Sequence, residues 1–393
     1  MNKAVPANQN SVASSVSGAV LSMSLCVAML IASEFMPASL LTPIADGLAV
    51  TEGQAGQAIS ISGLFAVVAS LLTTTLAGNL NRKWILIAMT AIMFVSLVAI
   101  ALAPDFPVLI FARALLGITI GGFWSLGTSV IMRLVPAERV SSALAVMYAG
   151  QAMAAAFAAP VGSYLGAIIG WRGVFWLLAP IVAIDLIWQI ATLPSMPAGA
   201  RMSPATFVRI LGRRHFLNGI VAAIVAYIGA FSMFTYLRPF LENTVQVDVQ
   251  TLSLLFLVLG CCGFLGTWLG GRFSGKHVIR LLQIQPLVMS LSSVGLIIFD
   301  QSILAVGLLL AIWGTANTMM SISWMAWLAQ TMEDQPEAAG SLIVAAIQSA
   351  IMLGAMIGGT LFDHFGIGVT FCGSAAISLV ALFLIGSGRR LTG

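Results

Sequence analysis

Long apolar runs separated by short polar breaks organise the whole chain. A helix needs about 20 apolar residues to cross the hydrocarbon core of a bilayer. Because many of the breaks are short, neighbouring helices are expected to run antiparallel. The pattern predicts twelve membrane-spanning helices, at 17–43, 55–77, 84–103, 107–132, 141–166, 173–193, 217–240, 249–271, 279–299, 302–329, 340–362 and 367–387.

The longest polar break divides these spans into six and six. It covers 194–216 and contains three prolines and four arginines. The two sides echo each other: GNLNRK (78–83) follows the second span, and GRFSGK (271–276) follows the eighth. Because the first and seventh spans start on the same side, the halves form a parallel pseudo-repeat. The predicted units are an amino-terminal half at 1–193, a cytoplasmic linker at 194–216 and a carboxyl-terminal half at 217–393.

Composition agrees with an all-α integral membrane protein. Of the 393 residues, 60% are hydrophobic and 8% charged, and the mean hydropathy is +1.04. Soluble domains carry about 25% charged residues. The net charge of +4 and the pI near 9.1 do not call for a nucleic-acid partner, because basic residues collect on the cytoplasmic side of membrane proteins.

The basic residues also predict the orientation. With the amino terminus inside, only Arg172 and Arg238 fall outside, and Arg113 falls within the fourth span. Such an excess inside predicts a multi-pass protein of a bacterial-type inner membrane with both termini cytoplasmic. The other 14 of the 17 basic residues then lie inside: Lys3, Arg82, Lys83, Arg133, Arg139, Arg201, Arg209, Arg213, Arg214, Arg272, Lys276, Arg280, Arg389 and Arg390.

Several stretches resemble the motifs of one transporter family. The fourth span reads RALLGITIGGFW, the loop after it RLVPAERVSSALAV, and the fifth span APVGSYLGAIIGWRGVF. These resemble the major facilitator superfamily and, more narrowly, its twelve-helix drug:proton antiporters. SEFMP, GGFWS, FTYLRP and IWGTANTMMSISW resemble the purine ribonucleoside efflux subgroup. The resemblance implies two six-helix halves and proton-coupled export by alternating access.

The resemblance also implies gating residues. In the loop between the second and third spans, Asn81 stands where the superfamily usually has an aspartate, so a weaker charge latch is expected. In the antiporter motif of the fifth span, Ala159 replaces the usual glycine before proline. The gating candidates are Asn81, Arg82, Lys83, Pro160 and Gly162.

Glu34 is the strongest functional candidate. It is the only charged residue between Val16 and Ile44, and a charge at the centre of a bilayer costs about 2.5–3.5 kcal/mol on insertion scales. A structural glutamate would need a permanent buried partner. A functional one binds a proton from one side and releases it to the other. Ionisable residues inside membranes are functional hypotheses by default, so Glu34 is predicted to couple proton movement to transport.

Two more charged residues lie within spans. Arg113 is either a snorkelling anchor whose head reaches the interface or, as we favour, a charge partner of Glu34 in one state of the cycle. Asp185 either bonds to Gln189 one turn on as part of the scaffold or takes part in proton coupling. Both residues are proton-coupling candidates, and the alternatives for Asp185 stay open.

Polar and aromatic residues of the spans predict the solute class. Aromatic faces combined with amides and one acid suit a planar, polar, neutral solute such as a nucleoside, and also an amphiphilic drug. Any one of these aromatic residues, taken alone, is more often a packing residue. The substrate-binding candidates are Glu34, Trp124, Gln151, Tyr236, Trp313, Asn317, Trp324 and Gln348.

The predicted function is a proton-coupled exporter of small polar or amphiphilic solutes, with purine ribonucleosides as one class. The alternatives are a sugar or multidrug exporter of the same fold and, more distantly, a membrane sensor or membrane-embedded enzyme. The sequence contains no GxSxG or HExxH motif, and its four cysteines lack zinc-ligand spacing. No enzymatic activity, metal or cofactor is therefore predicted, and the expected partners of the monomer are solute, protons and lipid.

Overall fold

A computed structural model describes residues 7–76, 80–136, 139–196, 204–332 and 334–391. The described residues are almost wholly helical and contain no strand. The helices are α1 (Ala7–Ser39), α2 (Leu41–Leu48), α3 (Glu52–Leu76), α4 (Arg82–Leu102), α5 (Phe106–Leu134), α6 (Val140–Thr192), α7 (Pro204–Leu211), α8 (Arg214–Phe234), α9 (Leu237–Pro239) followed by a π-helical turn (Phe240–Thr244), α10 (Val249–Ile298), α11 (Ile303–Thr331), α12 (Pro336–Phe365) and α13 (Ile367–Ile385).

The number of membrane spans agrees with the prediction. Among the described residues, ten helices are long and apolar enough to cross a bilayer, and two of them, in α6 and α10, run for 51 and 50 residues. Each of these two is interrupted by a non-helical residue, Gly170 at φ 74° in α6 and His277 at φ −130° in α10. Counting each as two limbs gives twelve spans. The protein is therefore a multi-pass, all-helical membrane protein.

The first and seventh spans end less regularly than predicted. The first was expected to run unbroken over 17–43, but α1 contains Pro37 and gives way to α2 at Leu40. Proline lacks a backbone N–H and disturbs a helix interior, and the Leu40 N–H bonds to the carbonyl oxygens of both Met36 and Pro37. The seventh continues from α8 through α9 into the π-helical turn.

Two hydrophobic cores hold the helices together. One is formed by buried residues of α1 to α6 with Tyr236, and the other by residues from α7 onward with Ala38, Ile59 and Ala159. The predicted boundaries of the two halves, with the linker at 194–216, stay a prediction. The three residues of the first half that pack in the second core mark where the two sets of helices meet.

The two halves are joined at the end where α3 begins and α12 ends, called here the predicted outer end. Asp363 of α12 accepts hydrogen bonds from Thr51 Oγ1 (2.7 Å) and from the Gly53 backbone N–H (3.1 Å). Further along the same pair of helices, Ser60 Oγ donates to the Met352 carbonyl oxygen at 3.1 Å. The structure is thus closed at this end by contacts between α3 and α12.

Candidate functional site

Glu34 lies buried where the two halves meet. Its side chain is 4% exposed, and Oε1 accepts a hydrogen bond of 3.1 Å from Nε2 of Gln348, which is 5% exposed on α12. In the described part of the chain, no cation lies within ion-pair distance of the Glu34 carboxylate. The other amide atom, Gln348 Oε1, is buried without a partner. The predicted proton-coupling acid therefore contacts a neutral amide of the opposite half.

Arg113 is fully buried on α5, so its head group does not snorkel to the surface. Its Nη1 donates to the Ser33 carbonyl oxygen (2.8 Å), Nη2 to Ser62 Oγ (2.8 Å) and Nε to the Ala58 carbonyl oxygen (3.0 Å). The guanidinium thus ties α5 to α1 and α3. It holds the backbone one residue before Glu34 and does not bond to the carboxylate itself.

An aromatic wall lies beside Glu34, and most of it was missed by the sequence analysis. It consists of Phe35, Tyr227, Phe231, Phe234 and Trp313. Phe35, next to Glu34 in the chain, lies 5.9 Å from Phe231 and 6.0 Å from Phe234 between ring centroids. Phe234 stacks on Trp313 at 5.9 Å, and Tyr227 stacks on Phe231 at 6.5 Å. Residues 227, 231 and 234 follow the i, i+4, i+7 spacing of one helix face, the signal by which they could have been found.

Several predicted substrate residues present unpaired polar atoms. Trp313 Nε1 and Asn317 Oδ1, one turn apart on α11, are buried without hydrogen-bond partners. Buried polar atoms normally have partners, and contact of these two atoms with a solute stays a prediction. Trp124 of α5 stacks on Tyr148 of α6 at 6.0 Å, and the half-buried Gln151 follows Tyr148 by three residues.

Two other predicted substrate residues lie in packed protein. The Tyr236 hydroxyl donates to the Ala355 carbonyl oxygen (2.8 Å), and its ring stacks on Phe362 at 5.6 Å, so it closes the predicted outer end. Trp324 is fully buried and meets Trp327 edge-on at 5.5 Å in the core of the carboxyl-terminal half. The Tyr236 contacts are those of a packing residue, whereas Trp324 Nε1, like Trp313 Nε1, is buried without a hydrogen-bond partner. A role in substrate binding stays a prediction for both Tyr236 and Trp324.

Arg238 is a closing residue that the sequence analysis assigned only to the outer side. Its guanidinium is 4% exposed, donates to the Ser39 carbonyl oxygen and pairs with Glu242 at 2.6 Å. Ser39 ends α1 and Arg238 belongs to α9, so this contact also joins the halves. The arginine of the FTYLRP stretch thus helps to seal the predicted outer end.

The loop before α4 is tied down by neutral hydrogen bonds. Asn81 Oδ1 accepts from the backbone N–H groups of Lys83 and Met196, each at 3.0 Å, and Nδ2 donates to Ser195 Oγ at 2.6 Å. The Arg82 N–H donates to the Met196 carbonyl oxygen at 3.0 Å. The amide therefore fastens the loop to the end of α6 within its own half, and a gating role for these residues stays a prediction.

The other gating candidates pack α6 on α1. A Cβ atom added at Gly162 would lie 2.7 Å from Met36 Cγ and 2.9 Å from Ser39 Oγ, so a larger residue would displace these side chains. Pro160 lies within the same helix and is buried. Small residues let membrane helices come close together, and here they bring α6 against the segment that follows Glu34.

Asp185 belongs to a buried polar chain across three helices. Its Oδ2 accepts from Gln189 Nε2 (2.8 Å), and Gln189 Oε1 accepts from Thr90 Oγ1 of α4 (3.0 Å). Cys26 Sγ of α1 lies 3.5 Å from that hydroxyl. Asp185 Oδ1 is buried without a partner. The bond to Gln189 is the one that the scaffold alternative requires, and the coupling alternative stays open.

Comparisons with known proteins point to transport. A family model described as Major Facilitator Superfamily matches residues 23–345. "Transcription regulatory protein OpdE" of Pseudomonas aeruginosa is 45% identical over 382 residues, covering 96% of this chain and 95% of that protein. "Purine ribonucleoside efflux pump NepI" of Salmonella paratyphi B is 35% identical over 374 residues, covering 95% and 94%.

Solved structures show the same fold. A D-xylose-proton symporter superposes with a TM-score of 0.77 at 16% identity, covering 96% of this chain and 99% of that one. A bacterial homologue of the human lysosomal transporter Spinster, in an inward-facing and occupied conformation, gives 0.76 at 16% identity, covering 93% and 95%. Likeness at this identity concerns the architecture alone.

Proposed function

The chain belongs to the major facilitator superfamily, and on that premise we propose that it is a proton-coupled exporter of small polar or amphiphilic solutes. As a member of this family it is a transporter of small molecules and not an enzyme. We place it in a bacterial inner membrane as a monomer, with both termini in the cytoplasm. It exchanges solute for protons by alternating access.

The hydrogen bond between Glu34 and Gln348 carries this proposal. A buried charge without an ionic partner costs several kcal/mol, so movement of a proton onto or off Glu34 changes the stability of the contact between halves. A protonated carboxyl group has an O–H donor that a carboxylate lacks, and Gln348 Oε1 is an unused acceptor. Protonation of Glu34 therefore favours the state closed at the predicted outer end.

The transport cycle follows from that link. Glu34 takes up a proton when the site opens outward, and the outer end then closes over it. Once the site opens to the cytoplasm, Glu34 releases its proton there and solute binds, leaving a buried carboxylate bonded to one amide. Arg113, which bonds to the backbone beside Glu34, supplies the nearby positive charge. Opening to the outside rehydrates the carboxylate and releases the solute.

The site favours a planar solute with both donors and acceptors. The aromatic wall offers ring faces for stacking, while Trp313 Nε1 offers a donor and Asn317 Oδ1 and Gln348 Oε1 offer acceptors. A nucleobase matches all of these, and ribose hydroxyls match the amides. A sugar has no aromatic ring to stack on the wall, which places it behind nucleosides. The efflux pump named above makes purine ribonucleosides the first class to test.

A regulatory function is the second candidate, because the relative at 45% identity is named a transcription regulatory protein. Helix-based DNA readers insert a recognition helix into the major groove. In the described part of the chain, α7, with eight residues, is the one helix between the two sets of spans. One helix of eight residues gives little support for that mode of DNA binding, so we favour transport. Any regulatory effect would then follow from solute movement.

Counterflow in proteoliposomes tests the proposal. Vesicles preloaded with unlabelled solute are diluted into labelled inosine, adenosine, cytidine, D-xylose or a cationic dye, with protein-free vesicles as the control. Purine nucleosides should be exchanged faster than cytidine and D-xylose. Exchange of D-xylose or the dye alone would move the chain to the alternative exporters, and exchange of no solute in the panel would favour the regulatory candidate.

A further inference from the structure

A basic cavity of about 480 Å³ lies at the predicted cytoplasmic end of the carboxyl-terminal half. It is formed where α10 breaks at His277 and where the chain turns after α13. Lys276, Arg280 and Arg389 line it together with His277, and Gln283 adds a neutral polar group. No carboxylate is among its lining residues. The cavity therefore gathers positive charge from two separate elements.

The segment that supplies Arg389 is held in place and is not a loose tail. Trp327 Nε1 donates to the Leu391 carbonyl oxygen (3.0 Å), and Asn218 Nδ2 donates to that of Arg390 (3.4 Å). On the other side of Arg389, Gln283 Nε2 donates to the Gly386 carbonyl oxygen at 2.5 Å. These bonds fix the backbone on both sides of the arginine.

A glycine brings the two walls of the cavity together. Gly388 has φ 78°, a conformation that strains other residues, and a Cβ atom added there would collide with Ile279. The turn after α13 thus lies directly against the second limb of α10. This close approach places Arg389 at the same cavity as Lys276 and Arg280.

Topology alone favours basic residues at this end of the protein, but it does not require them to line one open cavity. Like charges brought together repel each other, and an anion between them removes that repulsion. A volume of about 480 Å³ is within the range of small-molecule sites. Exposed arginine and lysine side chains are the usual partners of phosphate oxygens.

We propose that this cavity binds the phosphate group of an anionic phospholipid from the cytoplasmic leaflet. Basic pockets between helices on this side of a membrane suit such head groups. Apolar side chains next to the cavity favour a lipid over free phosphate. Ile284 and Leu287, one and two turns after Arg280, are 48% and 41% exposed, and Phe383, just before the turn, is 80% exposed. They offer a surface for the acyl chains.

Lipid binding to the full-length protein in detergent tests the proposal. Dioleoylphosphatidylglycerol is titrated and bound lipid is counted by native mass spectrometry, with dioleoylphosphatidylcholine as the neutral probe. Wild type should bind phosphatidylglycerol in preference, and Arg280→Gln/Arg389→Gln should weaken that binding about tenfold or more. Arg209→Gln/Arg214→Gln removes the same charge from exposed residues outside the cavity and should change the affinity less than about twofold.

Two results would overturn the assignment. Equal loss in both double variants would show that net charge alone attracts the lipid. If inorganic phosphate at millimolar concentration displaces phosphatidylglycerol from wild type, the cavity is a site for free phosphate. Size-exclusion profiles of the variants separate both results from misfolding, and the changed side chains are exposed.

Discussion

Gln348 and Glu34 lie 314 residues apart in the sequence, on helices from opposite halves, and share a hydrogen bond of 3.1 Å. Both side chains are nearly fully buried. A bond between an amide and a carboxyl group at such a place joins the proposed proton-binding residue to the contact between the two halves.

Removal of the link should open the predicted outer end. Gln348→Leu deletes the amide at similar size, and a hydrogen bond between neutral groups contributes about 0.5–1.5 kcal/mol, so the closed state should become about two- to tenfold less populated. A cysteine replaces the buried Ser60 in a background lacking the native cysteines. Opening of the predicted outer end is then detected as faster labelling of this cysteine by a maleimide added outside. Gln250→Leu, on the exposed first turn of α10, is the matched control. Equal labelling rates in the two variants would mean that Gln348 does not hold the halves together.

Orientation is tested by the same chemistry. Cysteines at the exposed Arg209 and at Asn81 should react with a membrane-impermeant maleimide only from the cytoplasmic side. Cysteines at Glu242 and Asp300 should react only from outside, because the positive-inside rule places both loops there. The reversed pattern would refute the orientation and exchange the two ends of the proposed cycle.

Arg113 should be needed for transport through its three-way geometry as well as its charge. Arg113→Ala should reduce solute efflux more than about tenfold, since it removes three bonds that hold α1 and α3 beside Glu34. Arg113→Lys keeps the charge but not the fork and should retain an intermediate rate. Arg209→Ala, at an exposed position on α7, serves as the control. Normal efflux by the alanine variant would leave Arg113 without a role in the cycle.

Asp185 should behave as a scaffold residue. Asp185→Asn preserves an acceptor for Gln189 and should retain efflux driven by a pH gradient. Asp185→Ala leaves Gln189 Nε2 without its buried acceptor, which should lower the free energy of unfolding by about 1–3 kcal/mol. Efflux assays and thermal unfolding measure the two effects separately. Loss of the pH-driven component in the asparagine variant, with stability unchanged, would instead make Asp185 a coupling acid.

The fold could be predicted from the sequence for two reasons. Each span must satisfy its backbone hydrogen bonds within a helix, and it needs about 20 apolar residues to cross the bilayer. Glu34 and Arg113 could be recognised as functional candidates, since a charged side chain within a membrane span costs free energy that a neutral one does not. The family resemblance was confirmed by the family match. The spans, the charged candidates and the family motifs are all visible in short stretches of sequence.

The contacts between distant residues could not be predicted in this way. Gln348 was a candidate for substrate binding, but nothing in the sequence paired it with Glu34, because an amide pairs with many partners. The wall formed by Phe35, Phe231 and Phe234 was missed since apolar aromatic residues are common throughout the spans. Trp324 packs against Trp327 and its Nε1 is buried without a hydrogen-bond partner, so its place in the site stays a prediction. The direction of a side chain depends on helix packing, which the sequence pattern does not specify.

Glu34→Gln tests the central claim most directly. Glutamine keeps the size of the side chain and a hydrogen bond to Gln348, but it cannot bind and release a proton. Asp46→Asn neutralises an exposed carboxylate on α2 and is the control. Both variants are compared with wild type in proteoliposomes, by solute movement against its gradient under an imposed pH gradient and by counterflow without one. The account predicts that Glu34→Gln abolishes the uphill movement and still shows counterflow above protein-free vesicles, while the control retains both. Uphill movement by Glu34→Gln at the wild-type rate would contradict the account.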